Sequence, residues 1–117
     1  LTRAIKLQKR AARVGFDWPE IGQVVDKIAE EAQELTEAAP QDQFEEYGDL
    51  LFVMANLARH LNIDPEAALR AANEKFTRRF KYIENALAAE NRHPETSNLA
   101  EMDALWDKAK AAEKAAK

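Results

Sequence analysis

The chain has 117 residues, 46% of them apolar and 32% charged, which suits one compact domain with a single modest core and leaves no room for two. With 17 Lys and Arg against 21 Asp and Glu the net charge is −4, so no general attraction to a nucleic-acid polymer or an anionic membrane is expected. The absence of Cys excludes disulfides, a thiolate nucleophile and Cys-based zinc or iron–sulfur sites.

Three Gly and four Pro punctuate the chain, and between them apolar residues recur at helical spacing, which predicts an all-α fold of four to five helices. A short basic helix over about Ala4–Arg13 stops near Gly15. Its Arg3, Lys6, Lys9, Arg10 and Arg13 read as a solvated face or an interface strip. Asp17-Trp18-Pro19 then reads as the cap and first turn of a second helix over about Glu20–Ala38, with Ile21, Val24, Val25, Ile28, Ala32 and Leu35 as its core stripe. Pro40 ends it, since proline neither continues the hydrogen-bond ladder nor tolerates a helical residue before it. A third helix over about Gln41–Leu61 is expected to bury Tyr47, Leu50, Leu51, Met54, Leu57, Ala58 and Leu61. So short a connection makes helices two and three an antiparallel hairpin.

Asn62 can stop the third helix, and Asp64, Pro65 and Glu66 supply the N-cap, first position and acidic first turn of a fourth. Its stripe of Leu69, Ala72, Phe76, Phe80, Ile83 and Leu87 runs to about Asn91, before His93-Pro94. Asn98 with Glu101 resembles a capping box for a last helix over about Leu99–Glu113, carrying Leu99, Met102, Leu105 and Trp106. The Ala/Lys tail beyond Glu113 is expected to fray. The longest apolar run, Leu50–Ala55, is far short of the ~20 residues of a membrane span, and no apolar leader opens the chain. A soluble, cytoplasmic protein is the expectation. A first residue of Leu rather than Met fits a piece of a longer chain.

Glu31 and Glu34 on the second helix, and Glu46 and Asp49 on the third, are carboxylate pairs at i and i+3, each on the shoulder of its apolar stripe. Glu31 with Asp49, and Glu34 with Glu46, both average to position 40, the turn proline, so in an antiparallel hairpin each pair lies at one height. Four carboxylates gathered beside an apolar core repel one another and lose hydration, a conflict that protonation or a hard divalent cation resolves. All-oxygen ligation favours Mg²⁺, Mn²⁺ or Ca²⁺ over zinc. The bland alternative is a solvated glutamate face, as most Glu-rich stretches are. A ferritin-like di-iron centre would want Glu-x-x-His elements, and neither His60 nor His93 stands three residues after a Glu.

On the fourth helix Lys75 and Arg79, at i and i+4, flank the Phe76/Phe80 stripe; such cations, with Lys27 one turn before Glu31, suit oligophosphate oxygens. Surface pairing with the many glutamates is the alternative. Trp106 and Trp18 lie near helix ends, where an indole is either a lid on the core or a platform for a nucleobase.

The series Lys27-Ile-Ala-Glu-Glu31-x-x-Glu34, Glu46-Tyr-Gly-Asp49-Leu-Leu-Phe52 and Asn73-Glu-Lys75-Phe-x-x-Arg79-Phe80 resembles the motifs of the MazG-type nucleoside triphosphate pyrophosphohydrolases. The likeness takes in nearly the whole chain, including Gly15-Phe16-Asp17-Trp18 and Asn56-Leu-Ala-Arg-His60-Leu, and is greatest to the C-terminal of two MazG repeats. It implies an all-α, Mg²⁺-dependent enzyme, with Mn²⁺ a possible substitute, that dimerises into a larger helical bundle and splits NTPs or dNTPs to monophosphate and pyrophosphate in nucleotide-pool house-cleaning. By motif position, Glu31, Glu34, Glu46 and Asp49 would be metal ligands, Lys75 and Arg79 phosphate-binding, and Trp106 near the base. Only 11 residues separate Glu34 from Glu46, a trimmed turn for this family. With no Ser-His or Cys-His nucleophile, direct attack by water is the simpler scheme, with Glu34 or Glu30 as general base. A rival reading is a non-enzymatic helical interaction domain whose acidic face binds a basic partner.

Overall fold

Helical periodicity and proline punctuation resolve, in a computed structural model describing residues 1–116, into five α-helices. These are α1 (Thr2–Ala12), α2 (Ile21–Glu37), α3 (Gln43–His60), α4 (Pro65–Ala88) and α5 (Leu99–Ala115), with 3₁₀ turns at Pro40–Asp42 and Pro94–Thr96. There is no strand among the described residues, and none of their helices is long and apolar enough to cross a membrane. The chain divides into two compact units, Leu1–Leu69 and the residues from Arg70 onward.

In the first unit α2 packs on α3 and α1 on α3. Ala38 and Ala39 are extended, the conformation that Pro40 imposes on the residue before it, and the proline opens the 3₁₀ turn that reverses the chain. The third helix therefore starts at Gln43 rather than Gln41. At its end Asn62 takes φ 58° and the Ile63 N–H reaches back to the Ala58 carbonyl, so a left-handed residue satisfies the last turn as a Schellman cap does. Asp64 Oδ1 accepts the Glu66 and Ala67 N–H groups and caps α4 as expected.

The link from α1 to α2 departs from expectation. The second helix begins at Ile21 with no side-chain cap, and Asp17 is not a helix cap at all. Gly15, at φ +88°, turns the chain out of α1, a conformation only glycine adopts cheaply. Asp17 then faces α3.

In the second unit Ile83, Leu87 and Ala109 are buried. Asn91, at φ 58°, closes α4 three residues after Ala88, with the Arg92 N–H on the Leu87 carbonyl. Asn98 Oδ1 accepts the Glu101 N–H at 2.9 Å, one half of the expected capping box. The return half is missing because the Glu101 carboxylate is taken by Arg92, at 2.6 and 2.8 Å, and by Ser97. Arg92 and then Ser97 thereby hold Glu101 down to about 2. The fifth helix runs two residues past Glu113, to Ala115, while Lys117 lies outside the described residues.

The apolar stripes are less buried than their periodicity suggests. Tyr47, Leu51, Met54 and Leu61 on α3, Ile21 and Val25 on α2, Leu69 and Phe76 on α4 and Leu99 on α5 are all exposed, Tyr47 by 54% and Phe76 by 58%. The buried residues of α3 are Val53, Ala55, Asn56 and Ala58.

Candidate functional site

The hairpin brings Glu31, Glu46 and Asp49 together, one carboxylate oxygen from each lying within 4.8 Å of the others. Glu31 is buried, Glu46 half-buried and Asp49 exposed. Lys27 Nζ reaches Glu31 at 3.0 Å and Glu30 at 3.2 Å, so it is engaged by its own helix. Even so, Glu31 Oε2 and Glu46 Oε2 are buried without a hydrogen-bond partner. Leaving an anionic oxygen in that condition is costly, and an oxygen-seeking cation is the ordinary remedy. The three carboxylates therefore fit a hard divalent ion.

Glu34 stands outside this trio but within its field. The Glu31 charge, then loss of hydration, then Glu46 hold its carboxyl above the usual range. Glu46 is raised chiefly by loss of hydration, with Asp49 and Glu31 adding to it. Beside them, Glu34, Glu37, Asp42, Glu45 and Glu46 line an acidic cleft of about 340 Å³. Glu30 is committed to Lys27, whereas Glu34 makes no ion pair among the described residues.

Asp49 continues one helical turn later into Phe52 and Val53, which wall a cavity of about 450 Å³ between α1, the following loop and α3. Phe16, Trp18 and Leu7 form its apolar walls; Gln8, Asp17, Asn56 and Arg59 supply polar groups. Gln8 is 7% exposed, and its Nε2 donates to the Phe52 carbonyl at 2.8 Å while its Oε1 has no partner. Sequence patterns offered no signal for Gln8, whose partner Phe52 lies 44 residues along the chain, while Asn56 and Arg59 stood out only as part of the family likeness.

The remaining candidates lie in the second unit. Arg79 is bidentate to Glu113, with Nε and Nη2 at 3.0–3.3 Å, and its guanidinium lies 5.3 Å from the Trp106 ring centroid. Trp106 also meets Phe76 at 5.6 Å, so it is a packed lid on its own unit. Arg79, aided by Arg78, holds Glu113 down to about 2. Lys75 makes no ion pair among the described residues and is exposed.

The helical hairpin and its carboxylate trio define an all-α domain with a candidate cation site, and the family model of phosphoribosyl-ATP pyrophosphohydrolase matches residues 1–76. The chain belongs to that family. It is 48% identical over 116 residues to the nucleoside triphosphate pyrophosphohydrolase of Escherichia coli strain K12, covering 94% of this chain and 44% of that protein. To the nucleoside triphosphate pyrophosphohydrolase/pyrophosphatase MazG of Thermotoga maritima it is 45% identical over 111 residues, with the same coverage. The chain thus spans less than half the length of these curated relatives.

Proposed function

We propose that this protein hydrolyses nucleoside triphosphates, ribo or deoxy, to the monophosphate and pyrophosphate in a divalent-metal-dependent reaction. The observation that carries the reading is the carboxylate trio of the hairpin with its two buried, unpartnered oxygens. Two relatives from different organisms, both named nucleoside triphosphate pyrophosphohydrolases, support it.

Glu31, Glu46 and Asp49, with Glu34 beside them, would hold Mg²⁺, for which Mn²⁺ can substitute. When bound, the ion would polarise the triphosphate as a Lewis acid and lower the pKa of a coordinated water, making hydroxide available at neutral pH. Glu34 is the better placed general base, since it makes no ion pair and lines the acidic cleft beside the trio; it would take the proton that water sheds on attacking the α-phosphorus. The bond between the α- and β-phosphates breaks, and pyrophosphate leaves with the electron pair. Glu30 holds Lys27, and Lys27 in turn compensates the Glu31 charge. Lys75 and Arg79 are assigned to phosphate oxygens, where Glu113 keeps the Arg79 fork oriented and a phosphate would compete with that carboxylate. The base is assigned to an indole, Trp106 or Trp18, the second of which lines the cavity of about 450 Å³. The exposed apolar face of Tyr47, Leu51, Met54 and Leu61 supports a homodimer, and the role is house-cleaning of the cytoplasmic nucleotide pool.

The test is pyrophosphate and monophosphate release from a panel of NTPs and dNTPs, in Mg²⁺ and in EDTA. Both products are expected together and only with metal. Silence across the panel from folded protein refutes the reading and leaves an interaction domain.

A further inference from the structure

Trp106 and Glu113 stand seven residues apart on α5, so the helix turns a ring and a carboxylate toward the same stretch of α4. Both meet Arg79. Glu113 accepts Nε at 3.2 and 3.3 Å and Nη2 at 3.0 Å, while the guanidinium carbon lies 5.3 Å from the Trp106 ring centroid. Trp106 is itself packed on Phe76, at 5.6 Å, and Phe76 is stacked on Phe80 at 6.0 Å. A guanidinium has five N–H groups, and Glu113 occupies two of them, that of Nε and one of Nη2. The Nη1/Nη2 edge, a parallel pair of donors, is left over: Nη1 has no partner among the described residues and is not one of their buried unpartnered atoms. We propose that Glu113 is a positioning residue for phosphate binding, holding Arg79 by its Nε/Nη2 edge so that the Nη1/Nη2 edge is presented to phosphate oxygens. The inference rests on the assignment of Arg79 to phosphate above, and deepens it by naming the edge that meets the phosphate and the residue on which its aim depends.

Exposure singles out Arg79 as the mounted cation: its side chain is 14% exposed, against 59% for the neighbouring Arg78, whose Nε reaches the same carboxylate at 3.0 Å. One carboxylate between two guanidiniums offsets their mutual repulsion and leaves the group of three a net positive charge, as an anion requires. A phosphate approaching the Nε side would have to displace Glu113, whereas the Nη1 side has no such rival among the described residues. A side chain fixed beforehand also loses less rotamer freedom on binding than a free one such as exposed Lys75. The Glu113 charge has two opposite consequences, which makes the sign of its removal decisive. A carboxylate that merely fills the Arg79 fork, or acts only through its charge, would on removal strengthen phosphate binding. A carboxylate that aims the fork would on removal weaken it.

The experiment compares the parent chain with Glu113→Gln, Glu113→Asp, Arg79→Lys and the double variant Glu113→Gln/Arg79→Lys. Binding of inorganic tripolyphosphate in excess Mg²⁺ is measured by calorimetry, and KM and kcat for the best triphosphate of the panel alongside it. Loss of an orienting, partly exposed ion pair predicts roughly fivefold weaker tripolyphosphate binding and a KM raised by a similar factor in Glu113→Gln, with kcat changed less than about twofold. Glu113→Asp, which keeps the charge one methylene farther back, is expected to recover part of the loss. In the Arg79→Lys background Glu113→Gln should add nothing, because an ammonium has no fork to aim. Unchanged or tighter binding by Glu113→Gln, a loss confined to kcat, or an equal further loss in the Arg79→Lys background would each overturn the positioning role, as would a parent that binds no tripolyphosphate. Should Glu113→Gln not fold, Glu113→Asp carries the same comparison, and its binding as tightly as the parent is the refuting result. A parent that hydrolyses triphosphates equally well with and without the Glu113 carboxylate would sink the inference and leave the activity standing. A parent that binds tripolyphosphate through Glu113 but hydrolyses nothing would do the reverse.

Discussion

Replacing Glu31 by Gln keeps the volume of a buried side chain while removing one charge from the carboxylate trio. A ligand that binds only the folded state at a free concentration a hundredfold above its Kd stabilises by about 2.7 kcal/mol. At about 2.1 cal/mol/K of unfolding entropy per residue, 117 residues convert that into a rise in Tm of about 11 °C for the parent in saturating Mg²⁺. Losing a ligand weakens binding by roughly a hundredfold, which leaves about 0.4 kcal/mol and a rise of about 2 °C at the same Mg²⁺. The metal-free variant should melt at or above the parent, because Glu31 is the largest cause of the raised Glu34 carboxyl and Lys27 keeps Glu30 as a partner. The pH matters to the design. For Glu34 and Glu46 the folded value is raised, so the stability they contribute is complete below the ordinary 4.5 and is lost as pH rises through the folded values. Differential scanning fluorimetry near pH 7.5, with MgCl₂ against EDTA, therefore reads the metal-free protein where the repulsion is largest. Equal Mg²⁺-induced shifts in parent and Glu31→Gln would refute the trio as the metal site.

Two further outcomes are expected. Glu101 is depressed to about 2 by Arg92 and Ser97, so its contribution is complete above 4.5 and disappears as pH falls toward 2; Glu101→Gln should melt lower than the parent at pH 7 and coincide with it near pH 2. Melting curves that run parallel across that window would remove the pair from any account of stability. Val24, fully buried on α2, should cost about 2–3 kcal/mol when cut to Ala, a drop of roughly 10 °C, while half-exposed Val25→Ala should cost under about 1 kcal/mol. Chemical denaturation of the two variants checks the order, and a larger loss at Val25 would misplace the core.

Elements whose causes are local were legible in the sequence. Proline, glycine and the Asp64 and Asn98 caps mark helix ends within a few residues, and the midpoint at Pro40 aligns Glu31 with Asp49. Burial was not legible to the same degree. A stripe such as Tyr47, Leu51, Met54 and Leu61 records that a face is apolar, while the neighbour that covers it is set by tertiary packing, which here chooses Val53, Ala55 and Ala58. Asp17 misleads for a related reason: its composition is that of a cap, and only the fold brings Arg59 to it from 42 residues away. The same distance hides Gln8 and its Phe52 partner.

The short turn of the hairpin has a consequence for the order of assembly. All three clustered carboxylates come from a stretch of 19 residues, Glu31–Asp49, so joining them requires only a local reversal whose closure entropy is small. The hydrogen bond from Arg59 to Asp17 spans a segment more than twice as long. Cation affinity is therefore expected to arise early in folding, with the hairpin, and the aromatic wall to arrive later, when the N-terminal helix docks. A chain that begins only at α2 would on this logic retain its response to Mg²⁺ while losing the apolar cavity that α1 and its loop wall.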